Sequence, residues 1–129
     1  MLILGGGPVG VELAQAFTRL GIKVTVFEKQ KILSNFNHEH VELLRSNLEN
    51  DGANLKEEVS IIDISLAGNE LTIQLENSDK ITGSHLLVAT GKKPNLQNLN
   101  LQAAGINFSD IGIETDQYLR TNNKKIYAI

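Results

Sequence analysis

Apolar and polar positions change their period several times along the chain, and each change marks an element. Met1-Leu2-Ile3-Leu4 is a continuous apolar run, as expected of a strand buried on both faces, and glycines follow at once. Over residues 8–20, Val9, Leu13, Ala16, Phe17 and Leu20 recur at helical spacing and predict one apolar helix face. Gly21 stands where a left-handed cap would end that helix. Ile22 to Glu28 predicts a second strand, with Val24, Val26 and Phe27 favouring extended structure. Ser34 to Asn37 supplies caps for a helix over about His38–Glu49, with Val41, Leu44 and Leu48 inward and Asn50-Asp51-Gly52 as its stop. Ala53 to Lys56 is a short third strand.

The period then shifts to two. Val59–Ser65, Glu70–Glu76 and Lys80–Thr82 alternate apolar and polar residues around turn clusters at Ala67-Gly68-Asn69 and Asn77-Ser78-Asp79. This predicts an antiparallel meander with one wet face. His85–Ala89 returns to a buried strand, closed by Thr90-Gly91. Residues 92–120 are loop-rich, with local turns expected at Lys93-Pro94-Asn95 and Ser109-Asp110, and Lys125–Ile129 reads as a strand. Apolar, strand-like ends without polar tails are expected of a segment excised from a longer protein.

Gly5-Gly6-Gly7-Pro8-Val9-Gly10 fits the pattern G-x-G-x-x-G between a strand and a helix within a βαβ unit, the context that gives this pattern meaning. Gly5 allows the tight turn, Gly7 lets the backbone approach a pyrophosphate, and Gly10 lets helix and strand pack closely. The helix N-terminus, with Gly6, Pro8 and Val9 around it, adds unpaired N–H groups and the positive end of a dipole. Glu28 closes the second strand, where an acidic side chain can accept hydrogen bonds from ribose hydroxyls. The turn alone would serve FAD equally; for a nicotinamide cofactor, a 2′-phosphate about 4 Å away would be repelled by roughly 4 kcal/mol at an effective dielectric near 20, so NAD is expected over NADP. Lys29 and Lys31 could oppose that preference or be plain surface charges. The implied class is α/β: a Rossmann-like three-layer domain, a parallel sheet of about five strands with helices on its faces and a β-meander crossover.

Composition narrows the partners. The 129 residues carry 12 basic and 15 acidic side chains, a net charge of −3, which argues against a nucleic-acid partner. No apolar run reaches the roughly 20 residues of a membrane span. The N-terminal run lacks the basic lead of a signal peptide, so neither membrane nor export is expected and the location is read as cytoplasmic. There is no cysteine, hence no thiol chemistry in this chain. His38 and His40 would point about 200° apart on a helix and cannot share a metal. His85 opens a strand in a structural role, and neither a zinc ligand set nor a Ser-His-Asp constellation is present.

Four segments in order, GGGPVGVE at 5–12, VTVFEK at 24–29, LLVATGKKPN at 86–95 and LRTNNKKIYAI at 119–129, resemble the pyridine nucleotide-disulfide oxidoreductases. That family includes dihydrolipoamide dehydrogenase, glutathione reductase and mercuric reductase. The resemblance covers the whole chain and corresponds to the family's central NAD(P)-binding domain. It implies a parent flavoprotein in which FAD is bound mainly outside this chain, by flavin-binding segments, and in which a dimerisation domain makes a homodimer. It also implies that residues 1–129 are the NAD(H)-binding part, with no catalytic residue and no activity of its own. Glu12 corresponds to a family glutamate near the nicotinamide, with a helix-dipole carboxylate as the alternative. Gly91 corresponds to a residue whose backbone lies against the cofactor, or is simply a strand-ending turn. Val59 corresponds to a position near the adenine, or packs in the meander. Lys92 and Lys93 replace the arginine common before Pro94-Asn95. Two further readings stand beside this one: the NAD(H) domain of a flavoprotein without a disulfide, such as an NADH oxidase or ferredoxin reductase, and a non-catalytic NAD-sensing module.

Overall fold

Strand β1 (Leu2–Leu4) has a partner on each side and so organises the fold. The computed structural model describes residues 1–129, which form two compact units, Met1–Gly91 and Lys92–Ile129. In the first, β1 pairs in parallel with β2 (Thr25–Phe27), and β2 with β3 (Asn54–Lys56). On its other side β1 pairs in parallel with the returning strand, β7 (Leu86–Val88). The sheet order is β3-β2-β1-β7. Between β1 and β2 runs helix α1 (Pro8–Arg19), and between β2 and β3 runs α2 (His38–Asp51). A three-stranded antiparallel meander, β4 (Ile61–Ala67), β5 (Glu70–Leu75) and β6 (Lys80–Gly83), fills the crossover from β3 to β7.

Because successive strand side chains point to opposite faces, each strand feeds two layers. Ile3 and Val26 join Val24 and Ala14 of α1, with Phe17, Leu87 and Ala89 packed around them. Leu2 and Phe27 point the other way, onto Ile73 and Leu75 of the meander. A third cluster, Val11, Ile32, Val41, Leu48 and Ala53, joins the two helices. The expected three-layer α/β architecture is thus present, with helices on one face only; the meander covers the other. At the meander's closest approach a Cβ on Gly83 would lie 2.7 Å from Leu2 Cγ.

Four elements depart from the sequence reading. The parallel sheet has four strands rather than about five. Lys125–Ile129 forms no strand, only a single bridge between Tyr127 and Arg120. A local partner captures that segment: Thr121 N–H donates to Ile126 O and Ala128 N–H to Leu119 O. The buried stripe of α1 is Gly10, Val11, Ala14 and Thr18, whereas Val9 is 57% and Leu20 76% exposed. Small residues let the helix lie close to the sheet, and close approach outweighs side-chain apolarity in choosing the face. No turn forms at Lys93-Pro94-Asn95, where the residue before a proline is held extended; the turn falls at Gln97-Asn98.

The remaining turns follow the sequence. Asn37 Oδ1 caps α2 by accepting from Glu39 N–H (3.0 Å) and His40 N–H (3.4 Å), and Gly52 ends it. Gly68-Asn69 makes the two-residue hairpin turn between β4 and β5. In the second unit, β8 (Phe108–Ser109) and β9 (Gly112–Ile113) form a ribbon around a turn at Asp110-Ile111. There Asp116 accepts from the Tyr118 and Arg120 amides and pairs with the Arg120 guanidinium at 2.9 Å. Desolvation works against it, but those amides and the guanidinium together outweigh it and hold its carboxyl below the usual range.

One ion pair ties α2 to the residue that follows β3. Arg45 of α2 forks onto Glu57, whose Oε1 accepts from Arg45 Nη2 at 2.9 Å and whose Oε2 meets Nη1. Glu57 Oε1 also accepts the Ile32 amide at 2.6 Å. Burial pushes the Glu57 carboxyl up, but the Arg45 hydrogen bonds, the Ile32 amide and the charges of Arg45 and Lys31 outweigh it, so its pKa is lowered. The same fork raises the Arg45 pKa above its ordinary value.

Two outcomes test this packing. Ile73→Ala is expected to cost about 2–5 kcal/mol in urea unfolding, the usual range for a buried Ile truncation; a loss under about 1 kcal/mol would show that the meander is not part of the core. The lowered Glu57 pKa stabilises the fold fully above the ordinary carboxylate pKa, and that share is lost as pH falls through the folded value. The urea midpoint of wild type should therefore drop more on acidification than that of Glu57→Gln, and parallel pH curves would refute the assignment.

Candidate functional site

At the carboxyl end of β1 the chain must turn sharply and start a helix within four residues. Gly5 does this at φ +103°, where its N–H donates to Phe27 O at 2.9 Å and an added Cβ would overlap the Ala89 carbonyl. Gly6 is packed from below: a Cβ there would stand 2.7 Å from Ile32 Cγ2 and 3.1 Å from the Glu28 side chain. A Cβ on Gly10 would run into the Gly5 carbonyl oxygen. These three glycines are demanded by the chain itself. Gly7 is not. Its φ of −74° and ψ of −178° suit any residue, and an added Cβ would meet nothing within 4 Å.

The open side of Gly7 lies at the start of α1. Gly7 is the N-cap residue and has no side chain with which to cap; Pro8 has no N–H. The first helical bond runs from Val11 N–H to Gly7 O at 3.0 Å. The amides of Val9 and Gly10 therefore precede the hydrogen-bonded ladder, where an anion can take them. Pro8 and Val9 are exposed beside them.

Glu28 stands at the end of β2 with its carboxylate turned back to the turn. Its Oε2 accepts from Gly6 N–H at 2.6 Å and its Oε1 from Gln30 N–H at 3.1 Å. Each oxygen keeps a further lone pair, and the side chain lines a cleft of about 410 Å³ bounded by Leu4, Gly5, Phe27, Val59, Ile61 and Thr90. The cleft lies outside the carboxyl ends of the parallel strands. There the chain leaves β1 toward β2 on one side and returns to β7 on the other, the topological switch point at which such sheets take ligands. A second, adjoining hollow of about 440 Å³ lies between the β2–α2 loop and α2.

The structure brings together Gly5, Gly6, Gly7, Pro8, Val9, Gly10, Glu28 and Val59. Val59 packs against the cluster of Leu2, Phe27, Ile73 and Leu75, lines the cleft, and donates its N–H to Glu28 O at 3.2 Å. Glu12 is exposed and without an ion pair, and it falls one position beyond the first turn, which holds no acidic residue. That weakens its reading as a helix-dipole carboxylate. Gly91, at φ +110°, has open space around it and ends the segment after Thr90, itself at the cleft. Lys29 also lines the cleft; Lys31, Lys92 and Lys93 are exposed. His38 is 3.7 Å from Glu42, His85 Nδ1 is 2.9 Å from Ser84 Oγ, and no group of side chains could hold a metal. The residues that sequence reasoning missed are Ile32 and Leu33. Ile32 lies beneath Gly6, and Leu33 N–H donates to Gly6 O at 2.9 Å. Two apolar residues in the otherwise polar run Lys29–Asn35 were the signal.

A sequence profile described as pyridine nucleotide-disulphide oxidoreductase matches residues 1–129. Mercuric reductase of Staphylococcus aureus is 32% identical over 133 residues, which is 99% of this chain and 24% of that protein. Dihydrolipoyl dehydrogenase of the same organism is 31% identical over 134 residues, 100% of this chain and 29% of that protein. Among solved structures, the HOCl-induced flavoprotein disulfide reductase RclA from Escherichia coli, as its Cu(II) complex, superposes with a TM-score of 0.84 at 28% identity. That match covers 99% of this chain and 30% of RclA. LpdA from Mycobacterium tuberculosis gives 0.82 at 26% identity, covering 98% and 28%. The chain thus spans between a fifth and a third of the length of these relatives.

Proposed function

The chain belongs to the pyridine nucleotide-disulphide oxidoreductase family, and from that premise we propose that it is the NAD(H)-binding domain of an FAD-dependent oxidoreductase. The observation that carries this reading is the unequal treatment of the four glycines. Three are required by the chain's own atoms, whereas Gly7 faces open space beside two amides that precede the helical ladder. A glycine that the fold does not need, next to unpaired donors, fits a pyrophosphate lying against the backbone.

In this reading Gly7, Val9 and Gly10 hold the pyrophosphate, and Glu28, already oriented by Gly6, accepts from the adenosine ribose. Val59 offers an apolar wall for the adenine. Glu12 and Gly91 stand toward the nicotinamide. When bound, the dinucleotide supplies the hydride that a flavin accepts or returns. The chain's share is position and electrostatics. Flavin-binding and dimerisation segments of a homodimeric parent supply the rest, and since this chain has no cysteine, any disulfide that exchanges electrons lies in them. The negative charge of Glu28 favours NAD over NADP.

Titration of NADH into this chain, followed by fluorescence, tests the reading. Gly7→Ala should cost no more than about 1 kcal/mol of stability, the scale of an N-cap change, because its Cβ meets no neighbour, yet weaken NADH binding about tenfold or more. Gly10→Ala should instead fail at the level of folding. Wild type without measurable NADH binding, or Gly7→Ala binding as wild type does, would overturn the assignment. NADH should bind at least about tenfold more tightly than NADPH, and Glu28→Ala should narrow that ratio. Equal affinities in wild type would remove Glu28 from the selection.

A further inference from the structure

The Gly6 peptide is gripped on both sides by the loop that follows β2. Its N–H donates to Glu28 and its carbonyl accepts from Leu33 N–H, at 2.6 and 2.9 Å. Ile32, 1% exposed, fills the space where a Cβ on Gly6 would go. The loop is therefore the floor of the turn, and its own placement has to come from elsewhere.

Glu57 provides that placement. It follows β3 directly, and its Oε1 accepts the Ile32 amide at 2.6 Å. The same carboxylate is held by both terminal nitrogens of Arg45, with both side chains only 15% exposed. Arg45 Nε donates in turn to Glu42 Oε1 at 3.2 Å, one turn earlier on α2. A rigid fork is suited to this task, since it fixes the plane of the carboxylate as well as its distance. A continuous path thus runs from α2 through Arg45, Glu57 and Ile32 to Gly6, without any of the first three touching the open side of the turn.

We propose that Arg45 and Glu57 are positioning residues for dinucleotide binding, fixing the glycine turn from beneath through Ile32. This rests on the assignment of the turn to a dinucleotide. The pair holds the Gly6 peptide in one place before the ligand arrives, so the ligand's own binding energy is not spent in ordering it.

The test joins a ligand-free measurement to a titration. Amide hydrogen exchange by NMR on the free chain reads local opening. Glu57→Ala should speed exchange at Gly6 and Leu33 while core amides such as Ile3 keep their wild-type rates. Asp51→Ala serves as the comparison: it breaks the Arg19–Asp51 pair at 2.8 Å between the helices and should leave Gly6 unchanged. At a temperature where the variant is fully folded, Glu57→Ala should weaken NADH binding about tenfold, the scale of one charge-assisted hydrogen bond. Glu57→Gln, which keeps one acceptor oxygen but loses the charge and turns an amide donor toward Arg45 Nη1, should be intermediate, as should Arg45→Lys; both also serve if Glu57→Ala does not fold. Unchanged exchange at Gly6 and Leu33, or wild-type NADH affinity despite faster exchange, overturns the proposal. Faster exchange in a chain whose wild type binds no NADH leaves the mechanical link intact and removes the dinucleotide assignment instead.

Discussion

Everything near the site depends on how closely the start of α1 is pressed against the turn that precedes it. The Gly5 carbonyl occupies the space a Cβ on residue 10 would need, so the helix can begin only where residue 10 has no side chain. That approach puts the first amides of the helix at the carboxyl end of β1. It also turns the stripe Gly10, Val11, Ala14 and Thr18 inward, with Ala14 against the sheet. Val9 and Leu20, larger and apolar, are left exposed. The contact is steric, and steric contacts tolerate no partial solution: a methyl group fits or it does not.

Around that contact the layers follow from strand geometry. A three-residue strand can bury only one or two side chains per face, so β1 and β2 need cover on both sides. The helices give it on one face and the meander on the other. The clusters around Ile3 and around Leu2 and Phe27 are the two halves of this arrangement. Arg45 and Glu57 add a polar tie beside the apolar cluster of Ile32, Val41 and Leu48, giving an acceptor to a loop amide that would otherwise lack one.

Most of the elements were legible in the sequence because their signals are local. Asn37 caps α2, Gly52 ends it, and Gly68-Asn69 turns the hairpin, each through contacts within a few residues. The glycine pattern with Glu28 marked the carboxyl end of the sheet for the same reason. What the hydrophobic period could not give is which of several competing contacts wins. Lys125–Ile129 has the composition of a strand but is held by Leu119 to Asn123 in a loop. Val9 and Leu20 have the spacing of a buried face but lose it to smaller neighbours.

The sequence by itself determined the α/β class, the order of the elements as far as Gly91 and the position of the glycine turn, since turn chemistry and hydrophobic period are properties of neighbouring residues. Only the tertiary structure decided which glycines the chain needs for its own packing, and so which one is left facing open space. It alone brought Glu57, 25 residues away in sequence, onto the Ile32 amide and so beneath Gly6. The reason is physical: a steric limit or a hydrogen bond between remote residues depends on where three layers meet, and no periodicity along one chain encodes that distance.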